Sequence, residues 1–372
     1  MVKKTKMGQK ISFCGGLLLL FCNVLCVAQT KTIRLKNEKF KVSSREFYIA
    51  EVKLAQRSQN NIGRMYEGLK PVPVTLEGGV TKAIEYFLTR NFNVSNIDTL
   101  TSIYLVVNEL NINEKLISQH KIGGDISLKL SFETYRDGRM ISLTDGNGTS
   151  NYTRSPKNDE LVESLLRSMI ENQLIGFKKW FNDSKKSEKL AKSVRVIFDE
   201  NIPVQNQLDT LYYDKRRPLI WSDFRGAGRF GSRWAAQVFT SFGMEVKATV
   251  SNRVLNLHVK MKVWLDKTIS WVRPEAKDDY TLAHEQLHFD ITELVAKQFE
   301  KKVSNLLFTV EDYNSEIQYQ YLEYYRQLSR IQQDYDGDTN HGINVSEQQR
   351  WIEKVKKELR ELEEEKRIDS KN

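Results

Sequence analysis

His284 and His288 stand four residues apart, with Glu285 directly after the first of them. On an α-helix positions i and i+4 lie one above the other, so both imidazoles project from one face and can converge on one metal ion. Glu285 is then within reach of a water held at that ion. This is the H-E-x-x-H logic of zinc hydrolases: two neutral imidazoles, an open coordination position and a carboxylate base. The motif needs a helix to work. Leu282, Ile291, Leu294, Val295 and Phe299 recur at helical spacing around it, which predicts a helix through about Val303.

Catalytic zinc usually takes three protein ligands and a water. One extended form of the motif requires a glycine three residues after the second histidine and a third histidine three beyond it. This chain has Ile291 and Leu294 there, which excludes that class. Two other sources remain. A glutamate on the following helix, predicted over roughly 311–333 from Ile317, Tyr321, Tyr324, Leu328 and Ile331, would be Glu311 or Glu316. Otherwise the stretch from Tyr335 to Gly342 supplies it. Asp336-Gly337-Asp338 reads as a break after that helix, and a Gly-flanked break lets the chain turn back. His341 is the remaining histidine of this region and is the favoured ligand, with Asp336 and Asp338 as alternatives. Asp290 and the Asp336/Asp338 pair are candidates to orient a ligating imidazole. Tyr335 is a candidate donor to a developing oxyanion, although a core aromatic is the simpler reading of it.

The elements that must hold this helix lie upstream. From 254 to 265, Leu255, Leu257, Val259, Met261, Val263 and Leu265 alternate with polar residues, as in a strand with one buried face. Ser251-Asn252-Arg253 is its expected hairpin turn from the run 235–250. His258 falls on the polar face, where a solvated role suffices. A helix resumes from about Ser346, and its charged end pairs acids and bases at i,i+4 as in Glu353/Lys357.

Residues 33–182 read as a separate α+β module. Strands are predicted at 103–107 and 126–132, with Asp137-Gly138 turning into a strand at 140–143. Helices are predicted over 79–90 and 161–180. No acid, base or metal cluster stands out there, so a binding or scaffolding role is expected.

Composition bounds the rest. The 372 residues are 40% hydrophobic and 28% charged, enough to bury a sizeable core and to suggest two domains. Lysines at 3, 4, 6 and 10 precede an apolar run that ends in Cys26-Val27-Ala28, the form of a secretory signal peptide over 1–28. All three cysteines lie inside it. The mature chain would therefore have no disulfide, thiolate ligand or cysteine nucleophile. Losing those four lysines takes the net charge from +9 to +5. Seven Lys/Arg against Asp183 and Glu188 at 178–195 give a local +5 that matches that excess, which reads as a local basic linker (183–204) and not as a nucleic-acid footprint. No membrane span is expected after cleavage.

The pattern Leu219-Ile220-Trp221-Ser222-Asp223-Phe224-Arg225-Gly226, Ala235-Ala236, Ser270-Trp271, the His284–Ile291 motif, and Tyr335-Asp336…Thr339…His341-Gly342…Gln348…Trp351 resembles the DUF922 family over about 205–352. That resemblance implies a secreted zinc-dependent protease with a zincin-like domain. The expectation is thus an exported α+β protein with a signal peptide at 1–28, a module of unknown role at 29–182, a linker at 183–204 and a zincin-like metallopeptidase domain at 205–372. In that domain antiparallel strands precede the active-site helix and a helical C-terminal part. Zn²⁺ would be held by His284, His288 and His341, Glu285 would be the general base, and the substrate would be a peptide or protein, in the periplasm or outside the cell. The alternatives are an envelope binding or assembly protein with a structural or vestigial zinc site, and a zinc hydrolase of a non-peptide cell-wall amide.

Overall fold

The structure is a computed structural model that describes residues 30–38, 44–55, 61–92, 100–200, 208–228, 231–232 and 234–369. The predicted signal peptide, 1–28, lies outside the described residues. Among them no helix is long and apolar enough to cross a membrane.

In the first half, alternating apolar residues build three long strands, β5 (Thr101–Ser118), β6 (Lys121–Arg136) and β7 (Arg139–Arg154), paired antiparallel in sequence. The segments expected at 103–107, 126–132 and 140–143 are only parts of them. Their extensions are more polar, though they bury Ile112, Ile122 and Arg154, and they are held by backbone pairing across the ladder. Asp137 and Gly138 both take positive φ between Arg136 and Arg139, as a two-residue hairpin turn on right-twisted strands requires. β1 (Lys31–Ile33), β2 (Phe47–Leu54), β3 (Gly63–Glu67) and β4 (Lys70–Leu76) complete a seven-stranded mixed sheet in the order β1-β4-β3-β5-β6-β7, with β2 also pairing β5. Helices α1 (Val80–Asn91) and α2 (Glu160–Asp183) cover it and bury Ile84, Phe87, Ile170, Leu174 and Phe177. Phe177 stacks on Phe132 at 4.2 Å.

Of the stretch expected to be a basic linker, residues 183–200 are built into the fold. After α2 a short 3-10 turn at 188–190 buries Leu190, and β8 (Ser193–Phe198) joins a second sheet in parallel with β12 (Val254–Asp266). The alternating Val194, Val196 and Phe198 supply its half-buried inner face. One hydrophobic cluster ends at Leu190 and a second begins at Ala191.

In the second half β9 (Thr210–Tyr212) and β11 (Thr240–Ser251) pair with β12, whose predicted alternation is present along its length. Asn252 and Arg253, both at positive φ, turn β11 into β12. A two-stranded ribbon of β10 (Ala236–Gln237) and β13 (Trp271–Val272) precedes α3 (Asp279–Ser304). The Asp278 carboxylate caps α3 by accepting the Thr281 N–H at 2.8 Å. α3 lies on β11 and β12, and α4 (Tyr313–Thr339) and α5 (Val345–Asp369) pack against α3. The protein is mixed α+β, as expected from its sequence.

One difference matters for the site. α4 does not break at Asp336-Gly337-Asp338 but runs to Thr339. Two acids in a last turn oppose the helix dipole, yet each has a tertiary partner. Asp336 faces the α3 histidines, and Asp338 accepts the Trp351 indole N–H at 3.0 Å. The helix ends only where Asn340 enters the left-handed region, followed by His341 and Gly342.

Candidate metal centre

α3 presents His284 and His288 from one face, their rings 5.0 Å apart and nearly perpendicular. Asp336, from the last turn of α4, completes the group. Its Oδ1 lies 3.3 Å from His284 Nε2 and 3.1 Å from His288 Nε2. Among the described residues these three form the one cluster of ligand atoms close enough to share a metal ion, all within 4.8 Å of one another. Ligand atoms bonded at 2.0–2.2 Å around a tetrahedral centre are about 3.4 Å apart, so the spacing fits.

The outer ring nitrogens are equally well placed. His284 Nδ1 lies 3.0 Å from Gln348 Oε1, and Gln348 Nε2 donates to the Tyr280 carbonyl. His288 Nδ1 meets Gln332 Oε1, while Gln332 Nε2 donates to the His288 carbonyl at 2.9 Å and to Thr292 Oγ1 at 3.2 Å. Each amide is oriented by its donor end, so its oxygen must face the imidazole. Both rings therefore carry Nδ1–H and turn an Nε2 lone pair inward. Two lone pairs and a carboxylate then converge on one point, an arrangement stable only with protons or a cation between them. Burial lowers the His288 pKa, but Asp336 and Glu285 outweigh it and raise it overall. Burial pushes Asp336 up, yet the two imidazoles hold its carboxyl far below the usual range.

Glu285 is 4% exposed and lines the same cleft, of about 690 Å³, as the two histidines and Asp336. Burial raises its pKa, offset in part by His288 and His284 and by a bond from the Val238 backbone. The opposite wall is the extended segment from Trp234 to Thr240.

His341 does not join the three-residue group. Its Nδ1 is 3.6 Å from Asp336 Oδ1, and its ring packs 3.6 Å from that of Trp234 at the cleft wall. Because α4 continues past the expected break, Asp336 reaches the histidines first and His341 is carried one turn beyond. Tyr335 is fully buried, and its hydroxyl faces His284, 2.8 Å from Nδ1, instead of the cleft. It braces His284 and does not face the cleft as an oxyanion donor would. Glu311 pairs with Arg136 of the first half, Glu316 accepts from Gln320, and Asp338 holds Trp351, so none of these joins the three-residue group. Asp290 points away from the centre and accepts from Gln286 and Tyr213. Gln286 Oε1 in turn accepts the Leu219 N–H at 2.7 Å, which fastens the 218–226 segment to the back of α3. His258 stays on the surface beside Asp199.

Gln332 escaped the sequence reading, although it stands one helical turn before Asp336. Gln348 belongs to the motif set but had no role attached. Gly342 is a third such residue. It has φ +83°, and a Cβ there would sit 3.2 Å from His284 Nδ1, so both conformation and space call for glycine.

Fold and site together define an α+β protein with a candidate His/His/Asp metal centre on an H-E-x-x-H helix. Residues 237–342 match the DUF922 family, described as a bacterial protein of unknown function; it is the family that the sequence motifs resemble, over a shorter stretch. No curated protein matches the chain. A Xanthomonas campestris protein of the DUF330 family, of solved structure, is similar at 12% identity, covering 41% of this chain and 94% of its own, with a TM-score of 0.24. A second solved structure, of an uncharacterised protein, is similar at 11% identity over 42% of this chain and 95% of its own, with a TM-score of 0.19.

Proposed function

We propose that the chain is an exported zinc-dependent peptidase. The observation that carries this reading is the convergence of His284 Nε2, His288 Nε2 and Asp336 Oδ1 beside the buried Glu285 in an open cleft. A set of two imidazoles and one carboxylate suits Zn²⁺. A divalent ion held by these residues would supply an acidified water and would polarise the substrate carbonyl. The chain's own residues do the rest. Gln332 and Gln348 keep both imidazoles in the Nδ1–H form. Glu285 takes the proton as the water oxygen attacks the carbonyl carbon, and passes it to the amine nitrogen as the C–N bond breaks. Burial disfavours its carboxylate, which favours uptake of that proton from the water.

The test is zinc content and hydrolysis side by side. Glu285→Ala should keep one zinc per chain and lose peptide cleavage. A chain that purifies without zinc and is not stabilised by added zinc would sink the proposal. A zinc-loaded wild type that cleaves neither peptides nor cell-wall amides would favour a structural metal in a binding protein.

A further inference from the structure

Peptide hydrolysis needs a hydrogen-bond donor for the substrate carbonyl oxygen, which gains negative charge as water attacks. Tyr335 does not supply it, because its hydroxyl faces His284. Other donors of the cleft are committed elsewhere: the Tyr280 hydroxyl to the Gly342 carbonyl at 2.6 Å, Thr281 Oγ1 to Asp278, and the Gln332 amide to His288 and Thr292. His341 lines the same cleft. Its Nδ1 lies 3.6 Å from Asp336 Oδ1, too far for a hydrogen bond, so the carboxylate does not engage it. The ring stands beside the three-residue group without belonging to it. A donor to the reacting oxygen belongs in that position, one hydrogen bond farther out than the atoms that hold the ion.

The backbone keeps the ring there against its own preference. Asn340, His341 and Gly342 take φ of +45°, +53° and +83°, three left-handed residues in a row. Glycine is at ease in that region and asparagine tolerates it, but the Cβ of a histidine is crowded. Hydrogen bonds fix the turn, from the His341 N–H to the Asp336 carbonyl at 2.8 Å and from the Gly342 N–H to Thr339 Oγ1 at 3.2 Å. The His341 side chain is 37% exposed, so core packing does not call for an imidazole. Trp234 steadies the ring, the two centroids 3.6 Å apart. Strained residues that their surroundings hold in place gather at functional sites.

We infer that His341 is a catalytic residue: a ring N–H donates a hydrogen bond to the scissile carbonyl oxygen as that oxygen takes up the electron pair of the C=O π bond. The inference rests on the peptidase reading above. No proton leaves His341, since a neutral imidazole carries one N–H in either tautomer. The electron pair returns to re-form C=O as the C–N bond breaks, and Glu285 delivers the proton to the departing amine.

The experiment compares wild type, His341→Ala and His341→Asn as zinc-loaded full chains. The alanine variant should keep one zinc per chain and lose about 100-fold in kcat, the scale of removing one oxyanion donor, with KM little changed. Asparagine accepts the left-handed backbone and offers an amide N–H, so it should restore a large part of that loss. Binding gives a readout without turnover. The Kd of a peptide phosphinate, whose tetrahedral oxygens mimic the attacked carbonyl, should rise by the same factor in His341→Ala. In a Glu285→Gln background the same substitution should leave the Kd of the uncleaved peptide unaltered. Loss of zinc in His341→Ala would make the residue a ligand, and an unchanged kcat would make it a mere wall of the cleft. Either result overturns the assignment, as does an equal rise in both Kd values, and each leaves the peptidase reading intact. A zinc-loaded wild type that cleaves no peptide removes that reading and this role with it.

Discussion

Gln332 on α4 grips His288 on α3 by both ends of its amide: its oxygen faces the ring Nδ1 while its nitrogen donates to the His288 backbone carbonyl at 2.9 Å. One side chain thereby sets the tautomer of His288 and ties together the two helices that must meet for the candidate centre to form. Gln332→Ala should weaken zinc binding roughly 10- to 100-fold, the usual effect of removing a partner of a ligating histidine. Competition with a chelator measures it. An unchanged affinity would show that packing alone orients His288.

The third ligand is decided by a pair of variants. Asp336→Ala should abolish stoichiometric zinc, whereas His341→Ala should retain one zinc per chain, since its ring lies against Trp234 and outside the ligand group. The opposite pattern would move the metal to His341. Atomic absorption on the purified proteins reads this directly.

Metal binding should release protons. Burial lowers the His288 pKa, but Asp336 and Glu285 raise it more, so the metal-free site holds a proton there to higher pH than an ordinary histidine. Zinc must displace that proton, so its apparent affinity should rise with pH, by about one log unit per pH unit for one proton, and level off above the raised pKa. Metal-free stability runs the other way. The contribution of a raised histidine is complete below its unfolded pKa and disappears as pH rises through the folded one. Calorimetric titrations in buffers of different ionisation heat check the proton count. A pH-independent affinity would contradict it.

Far from the centre, Arg154 and Glu114 form a fully buried ion pair in the first half, with Arg154 Nε donating at 2.6 Å and Nη2 at 2.8 Å. Tyr152 and the Tyr66 N–H also donate to Glu114. Arg154→Ala leaves a buried carboxylate without its cation and should cost about 3–5 kcal/mol. Arg154→Met combined with Glu114→Leu should recover much of that. Denaturant unfolding of both variants tests it, and a small loss in Arg154→Ala would mean that the two neutral donors suffice for Glu114.

Gly342→Ala should disturb the site with little change elsewhere. It introduces a side chain at φ +83° within 3.2 Å of the His284 ring. Zinc affinity should drop while far-UV circular dichroism stays the same. A variant that binds zinc as the wild type does would show that the loop has room to yield.

Local patterns made part of this protein legible from its residues. The i,i+4 spacing of His284 and His288 dictates a shared face wherever a helix forms, and the apolar repeat around them ensures that it does. The alternation in 254–265 and the turns at Asp137-Gly138 and Asn252-Arg253 are legible for the same reason, because period and positive φ are properties of a few consecutive residues. Asp336, the candidate third ligand, is 48 residues beyond His288, and its place in the group depends on where α4 stops. Asp336-Gly337-Asp338 carries the composition of a break, yet contacts with the α3 histidines and Trp351 keep it helical. That extension brings Asp336 to the two Nε2 atoms and moves His341 aside. It also turns the Tyr335 hydroxyl onto a ligand and leaves Gln332 one turn before Asp336. Such assignments follow from the packing of α4 and α5 on α3, and no spacing within either helix encodes it.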